Sequence, residues 1–245
     1  MAFLGKDHRI TGSLGDLVFR TVNGRTIVQR KPEKHQVKQT KRTQQASSDF
    51  GRASTLAKKI RVGIQPFTRG FGDSHSFCRL RTQLQLAART DNPAPLGEKN
   101  LWDGTPALLD GFEYNLHSPY EETCRISIRD VVLDAQRLHF TLDGFHPKQA
   151  ITWPGGAEKA KVCFWISVHR REDDLPVYKE LLPLAITPNN VMLPETRFSS
   201  QTLPAGGMLY LWGGILYYEY NSVLDWVCMN HKQLQPFRVL RVLRL

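Results

Sequence analysis

Long apolar runs, paired cysteines and glycine-rich phosphate loops are all missing from this 245-residue chain. No apolar run approaches the roughly 20 residues needed to cross a bilayer. The opening Met-Ala-Phe-Leu-Gly-Lys-Asp-His has no apolar signal core behind a basic start. The chain therefore reads as a cytoplasmic protein without membrane insertion. Its four cysteines, Cys78, Cys124, Cys163 and Cys228, form no Cys-x-x-Cys pair, so reduced thiols are expected rather than a disulfide framework. Gly-x-x-x-x-Gly-Lys-Ser/Thr, Gly-x-Gly-x-x-Gly, Gly-x-Ser-x-Gly and His-Glu-x-x-His are all absent, which removes the sequence signals for the common nucleotide, hydrolase and zinc-protease sites.

Acidic groups are scarce in one part of the chain. Residues 1–90 hold 18 Lys+Arg against 5 Asp+Glu, whereas residues 91–245 hold 15 against 18. The net charge of +10 is thus concentrated in an N-terminal basic head. A clustered field of one sign attracts anionic surfaces over about a Debye length, roughly 8 Å at physiological salt. The densest stretch is 25–61, and its candidate contacts for a polyanion or another subunit are Arg25, Arg30, Lys31, Lys34, Lys38, Lys41, Arg42, Arg52 and Lys59. No Phe, Tyr or Trp falls between Arg20 and Asp49, so base stacking on this segment is poorly supported.

Several elements can be read from local pattern. Two β-rich runs within 14–30 flank Asn23-Gly24, a pair suited to a two-residue hairpin turn with φ > 0 at both positions. Pairing Val22 with Arg25 puts Leu17, Phe19 and Val28 on one face, and these five residues (Leu17, Phe19, Asn23, Gly24, Val28) define a candidate assembly hairpin. A lone hairpin is marginal in water, so it needs a covering surface. Ala46, Phe50, Ala53, Ala57 and Ile60 follow helical spacing, which predicts a helix ending before Pro66. A second helix is predicted from Asp73, as its cap, to about Ala88, with Phe77, Leu80 and Leu84 as its stripe.

Beyond Asn92-Pro93 the chain becomes rich in β-branched and aromatic runs, at 123–133, 137–142, 161–169, 177–186, 208–220 and 224–229. Gly, Pro, Asp and Asn separate most of them. There is no βαβ alternation. The predicted fold class is mainly β (α+β): an N-terminal β-hairpin plus two helices, followed by an antiparallel immunoglobulin-like β-sandwich. The corresponding domains are a head at 1–92, a connector at 93–122 and the sandwich at 123–245. The last nine residues place Arg238, Arg241 and Arg244 three apart, and read either as a tail docking on another subunit or as a final strand closing the chain's own core.

Chemistry-bearing groups are present without a diagnostic arrangement. Cys228-x-x-His231, joined by Cys163 or His169, offers one metal-like spacing, but a structural zinc site usually shows two ligand pairs. Asp173-Asp174 and Glu121-Glu122 are adjacent acids in predicted loops, and His139 and His169 fall within predicted strands. No catalytic, cofactor or metal residue is assigned, and no cofactor is implied.

Gly15-Asp16-Leu17-Val18-Phe19-Arg20-Thr21-Val22-Asn23-Gly24-Arg25, the following Arg30-Lys31-Pro32, Thr43-Gln44-Gln45 leading to Phe50, and Leu108 through Asn115 carry a resemblance. The N-terminal 120 residues resemble a bacterial family, mainly from Bacteroidota, that carries a domain of unknown function. The resemblance implies the hairpin and helix architecture and brings no catalytic residues. The resulting expectation is a non-enzymatic structural or interaction protein that forms a homo-oligomer or larger assembly through its basic head. The alternatives are a DNA- or RNA-binding, capsid-like protein using 25–61, and a hydrolase or metal enzyme.

Overall fold

The computed structural model describes every residue except Met1, 6–8, 23–24 and 32–38. The chain divides into two compact units, Met1–Gln44 and Gln45–Leu245. It is mainly β, with several antiparallel sheets and four α-helices among the described residues, in a sandwich-like α+β arrangement.

In the first unit β1 (Ala2–Leu4), β2 (Ile10–Leu14), β3 (Leu17–Val22) and β4 (Arg25–Arg30) form an antiparallel meander in chain order. Val22 stands opposite Arg25, Phe19 opposite Val28 and Leu17 opposite Arg30. The Asn23-Gly24 turn lies outside the described residues. The sequence pattern predicts two of these strands; β1 and β2 join them through Gly12↔Phe19 and Ala2↔Gly12. Ile-Thr-Gly-Ser-Leu is a weak strand signal because only its two ends are bulky and apolar.

Helix α1 (Lys41–Thr68) starts where the Thr40 hydroxyl accepts from the Thr43 amide at 3.2 Å, a side-chain N-cap. Its first four residues belong to the first unit. Ala53, Leu56, Ala57, Ile60, Ile64 and Phe67 form its buried stripe. The helix runs past the predicted end, with Pro66 in its last turn. Proline there removes one ladder bond, while burial of Phe67 and Thr68 holds the turn. Left-handed Arg69 and Gly70, at φ 51° and 79°, then end it. Helix α2 (Ser76–Arg89) buries Leu80, Leu84, Ala87 and Ala88. Asp73 does not cap α2 in the expected way. It accepts from the His75 amide at 2.8 Å, grips Arg79 with both carboxylate oxygens, and takes the Leu116 amide at 3.1 Å. It anchors the start of α2 to the 113–116 segment.

Two short helices, α3 (Tyr120–Thr123) and α4 (Pro147–Ala150), accompany eight strands: β5 (Ile128–Asp134), β6 (Arg137–Leu142), β7 (Lys159–His169), β8 (Tyr178–Ile186), β9 (Thr196–Ser199), β10 (Met208–Asn221), β11 (Asp225–Cys228) and β12 (Phe237–Arg244). Strands β5, β6 and β9 form one sheet, and β8, β7 and β10 form the centre of another. On its other edge β10 pairs with β12 over 208–214 and with β11 over 218–221. Between these two partners the buried Asn230 amide replaces a strand: its Oδ1 accepts from the Tyr217 amide at 2.7 Å and its Nδ2 donates to the Ile215 carbonyl at 2.8 Å.

Strand periodicity distributes the core. Val162, Phe164, Ile166 and Val168 of β7 pack with Leu209, Leu211, Ile215 and Tyr217 of β10 against Leu138, Phe140 and Leu142 of β6. On the opposite face Cys163, Trp165, Met208, Tyr210, Trp212, Phe237 and Val239 meet the stripes of α1 and α2. The Trp212 and Phe237 rings stack at 4.8 Å, and Phe67 of α1 lies 4.9 Å from Phe237. Gly214 permits this approach, because a Cβ there would stand 2.6 Å from the Phe67 ring.

Two boundaries drawn from the sequence differ from the structure. The charge step near residue 90 groups the two helices with the basic head, but their apolar stripes cover the five-stranded sheet, and the units divide after Gln44 rather than after residue 92. Recounted by unit, 1–44 holds 10 Lys+Arg and 3 Asp+Glu, and 45–245 holds 23 and 20, so the second unit is mildly basic. The 93–122 segment is part of the core rather than a free connector: Leu101, Leu109 and Tyr114 are buried, and 111–114 hydrogen-bonds along the outer edge of β12. The arginine-spaced tail takes the second of its two sequence readings, a final strand in the chain's own sheet. A bulge opposite Leu211 and Trp212 resets its alternation. Arg238 pairs with Glu113 and Glu121, Arg241 with Asp110, and Arg244 donates to the Gly104 carbonyl.

Candidate functional site

Opposite residues of an antiparallel pair point to the same face of a sheet. The register therefore places Ala2, Leu4, Ile10, Leu14, Leu17, Phe19 and Val28 together on one face of the first unit, with Arg30 at its edge. The other face carries Phe3, Val18, Val22 and Ile27 among Thr11, Ser13, Arg20, Arg25 and Gln29. No described residue of this unit is buried, and Leu4, Leu14 and Val28 are 67%, 66% and 53% exposed. Leu17, Phe19 and Val28 of the candidate assembly hairpin are thus brought into one patch, which β1 and β2 enlarge.

The candidate basic contacts are dispersed. Arg25 and Arg30 lie on opposite faces of β4, and the Lys31 amide donates to the Asp16 carbonyl at 2.6 Å. Lys34 and Lys38 lie outside the described residues. Lys41 and Arg42 are exposed in the first turn of α1, and Arg52 is exposed ten residues further along the helix. Lys59 is engaged within the chain: its ammonium donates to the Asp173 carbonyl at 2.6 Å and lies 3.5 Å from the Asp174 carboxylate.

The groups needed for zinc do not converge. Cys163 pairs opposite Gly214 and Cys228 opposite Tyr218, while His169 stands at the far end of β7 and the His231 Nδ1 accepts from the Gln233 amide. Among the described residues no cluster of three or more His, Cys, Asp or Glu is placed to hold a metal ion. Burial pushes the Cys163 thiol up to about 12, which keeps it protonated and unreactive. In each acid pair one carboxylate is paired within the chain, Glu121 with Arg238 and Asp174 with Lys59.

One polar group escaped sequence reading. Ser167 Oγ, His169 Nε2 and Tyr210 OH are buried on the helix-facing side of β7 and β10 without a hydrogen-bond partner among the described residues. Ser167 stands opposite Tyr210, and the His169 and Tyr210 rings meet edge to face at 5.4 Å. Burial, reinforced by the Lys59 charge, lowers His169 to about 4. The imidazole is therefore neutral near pH 7. Only its parity on β7 could have signalled this position.

No helix among the described residues is long and apolar enough to cross a membrane. No family model matches this chain, and no curated protein matches its sequence.

Proposed function

We propose that this chain is a non-enzymatic assembly or interaction protein that self-associates through its N-terminal β-module, with the second unit as a rigid body. The apolar face of the first sheet carries the reading. A four-stranded sheet with no buried residue needs a cover to be stable in water. A second copy suits that face because it is self-complementary: two such sheets stacked face to face bury Leu4, Leu14, Leu17, Phe19 and Val28 and keep Arg20 and Arg25 outward. The two packed antiparallel sheets of the body support the immunoglobulin-like reading in strand pairing, with the helix layer added to it. Membership in the Bacteroidota family and a cytoplasmic setting belong to the same proposal.

Sedimentation velocity across micromolar concentrations tests the reading. The chain is expected to form dimers or larger species, and Leu14→Lys with Val28→Lys is expected to yield monomer whose near-ultraviolet spectrum, set by the buried aromatic residues of the second unit, is unchanged. A strictly monomeric parent chain would sink the proposal. The outward Arg20 and Arg25 favour a second reading, nucleic-acid binding by the reverse face of the same assembly. If six or more phosphates are contacted, affinity falls by roughly 10³ or more between about 50 and 200 mM salt. Absence of any shift with DNA or RNA at low salt would remove it.

A further inference from the structure

Within the second unit α1 borders a groove of about 380 Å³ whose walls include Gly51, Arg52, Thr55, Lys59, Trp102 and Arg171. Gly51, Thr55 and Lys59 recur every four residues and so form one ridge of the helix. Trp102 comes from the 3₁₀ turn Leu101–Asp103, and Arg171 from the segment after β7. Three cationic side chains line the groove and no carboxylate lines it; Asp174, 97% exposed, lies 3.5 Å from the Lys59 ammonium, and the Asp103 carboxylate accepts from the groove-lining Asn100 amide at 2.6 Å. Arg52 donates to the Glu98 carbonyl at 3.4 Å.

Gly51 is the second, independent observation. Glycine inside a helix is unfavourable relative to alanine because its backbone loses more freedom on folding. Such a residue is ordinarily explained by a neighbour that leaves no room for a methyl group. A Cβ built on Gly51 meets nothing within 4 Å. Nothing in the described chain requires the glycine, and the space it leaves opens into the groove. A ligand lying against the helix backbone would require it.

We infer that this groove binds a nucleoside phosphate, with the base against Trp102, the sugar beside Gly51 and Thr55, and the phosphate held by Arg52 and Arg171. The volume is in the range of small-ligand pockets. An indole beside a guanidinium pair suits a planar base joined to an anion, whereas an inorganic anion would have no use for the indole. Lys59 adds charge while held by the Asp173 carbonyl. The same chemistry is offered by a free nucleotide and by the phosphorylated end of a single strand.

Isothermal titration of the full chain with AMP, adenosine, inorganic phosphate and a 5′-phosphorylated oligodeoxyadenylate tests this. AMP is expected to bind at least about tenfold more tightly than adenosine or phosphate. Arg171→Gln and Arg52→Gln should each weaken AMP binding several-fold. Gly51→Ala should raise the melting temperature by about 2–4 °C, through helix propensity, while weakening AMP binding at least about tenfold. An oligonucleotide that binds more tightly than AMP, and loses affinity in the same variants, identifies a strand end as the source. Overturning results are no AMP binding at millimolar concentration, phosphate binding as tightly as AMP, or Gly51→Ala with unchanged affinity. None of these depends on the oligomeric state of the chain.

Discussion

His169 shows how one residue can make stability depend on pH. In the fold its imidazole titrates at about 4, because burial under α1 and the nearby Lys59 charge oppose protonation. In an unfolded chain it titrates near 6.5. Between those values the unfolded state binds the extra proton, so the free energy of unfolding falls as pH falls. The contribution is complete above about pH 6.5 and is lost by about pH 4, a change on the order of 3 kcal/mol. Urea midpoints at pH 7.5 and 4.5 are expected to differ less in His169→Phe than in the parent chain. Identical pH dependence in the two would show that other groups carry the acid sensitivity. The sequence places His169 on a strand but not under a helix, since burial by a remote element leaves no local mark.

At the scale of elements, one side-chain amide completes the outer edge of β10. Between β12 and β11 the Met229 amide donates to the Tyr217 carbonyl and the Ile215 amide to the Pro236 carbonyl, while the Asn230 side chain supplies the acceptor for the Tyr217 amide and a donor for the Ile215 carbonyl. Asn230→Ala leaves both buried backbone groups unpaired, at about 1–3 kcal/mol each. The expected loss is therefore about 2–4 kcal/mol in chemical denaturation, together with faster hydrogen exchange at the Tyr217 amide. Unchanged exchange there would show that another group replaces the side chain. The position of β10 was legible in its β-branched and aromatic run, whereas the amide bridge was not, because Asn230 belongs to a turn and resembles any other turn asparagine. The helix layer was legible in principle. Met-Leu-Tyr-Leu-Trp-Gly-Gly-Ile lacks the polar alternate positions of a half-exposed strand, and in Lys161–His169 the alternation of Lys161, Ser167 and His169 is broken by Cys163 and Trp165; a continuous apolar run indicates a sheet buried on both faces. The amphipathic stripes of α1 and α2 fit the second face. The charge step near residue 90 drew the boundary elsewhere, yet charge reports on solvent-facing side chains and not on which apolar faces meet.

For the whole molecule, the proposed function puts stability and association in different parts of the chain. Every buried residue among those described lies at or beyond Asp49, and both hydrophobic clusters are built entirely from 53–245. The described residues of 1–44 supply an apolar sheet face and no buried side chain, and the segment carries a net excess of seven positive charges. A chain beginning at Thr40 keeps the Thr40 cap and all of α1. It is therefore expected to unfold cooperatively within about 2–4 °C of the full chain, the shift produced by roughly 1 kcal/mol in a protein of this size. The same truncation removes the self-complementary face, so it is expected to sediment as a monomer at concentrations where the parent associates. Calorimetry and sedimentation on the two chains separate the possibilities. A truncated chain that folds and still associates would move the interface to the second unit, and one that fails to fold would show that the N-terminal sheet contributes to a core it does not enter as buried surface.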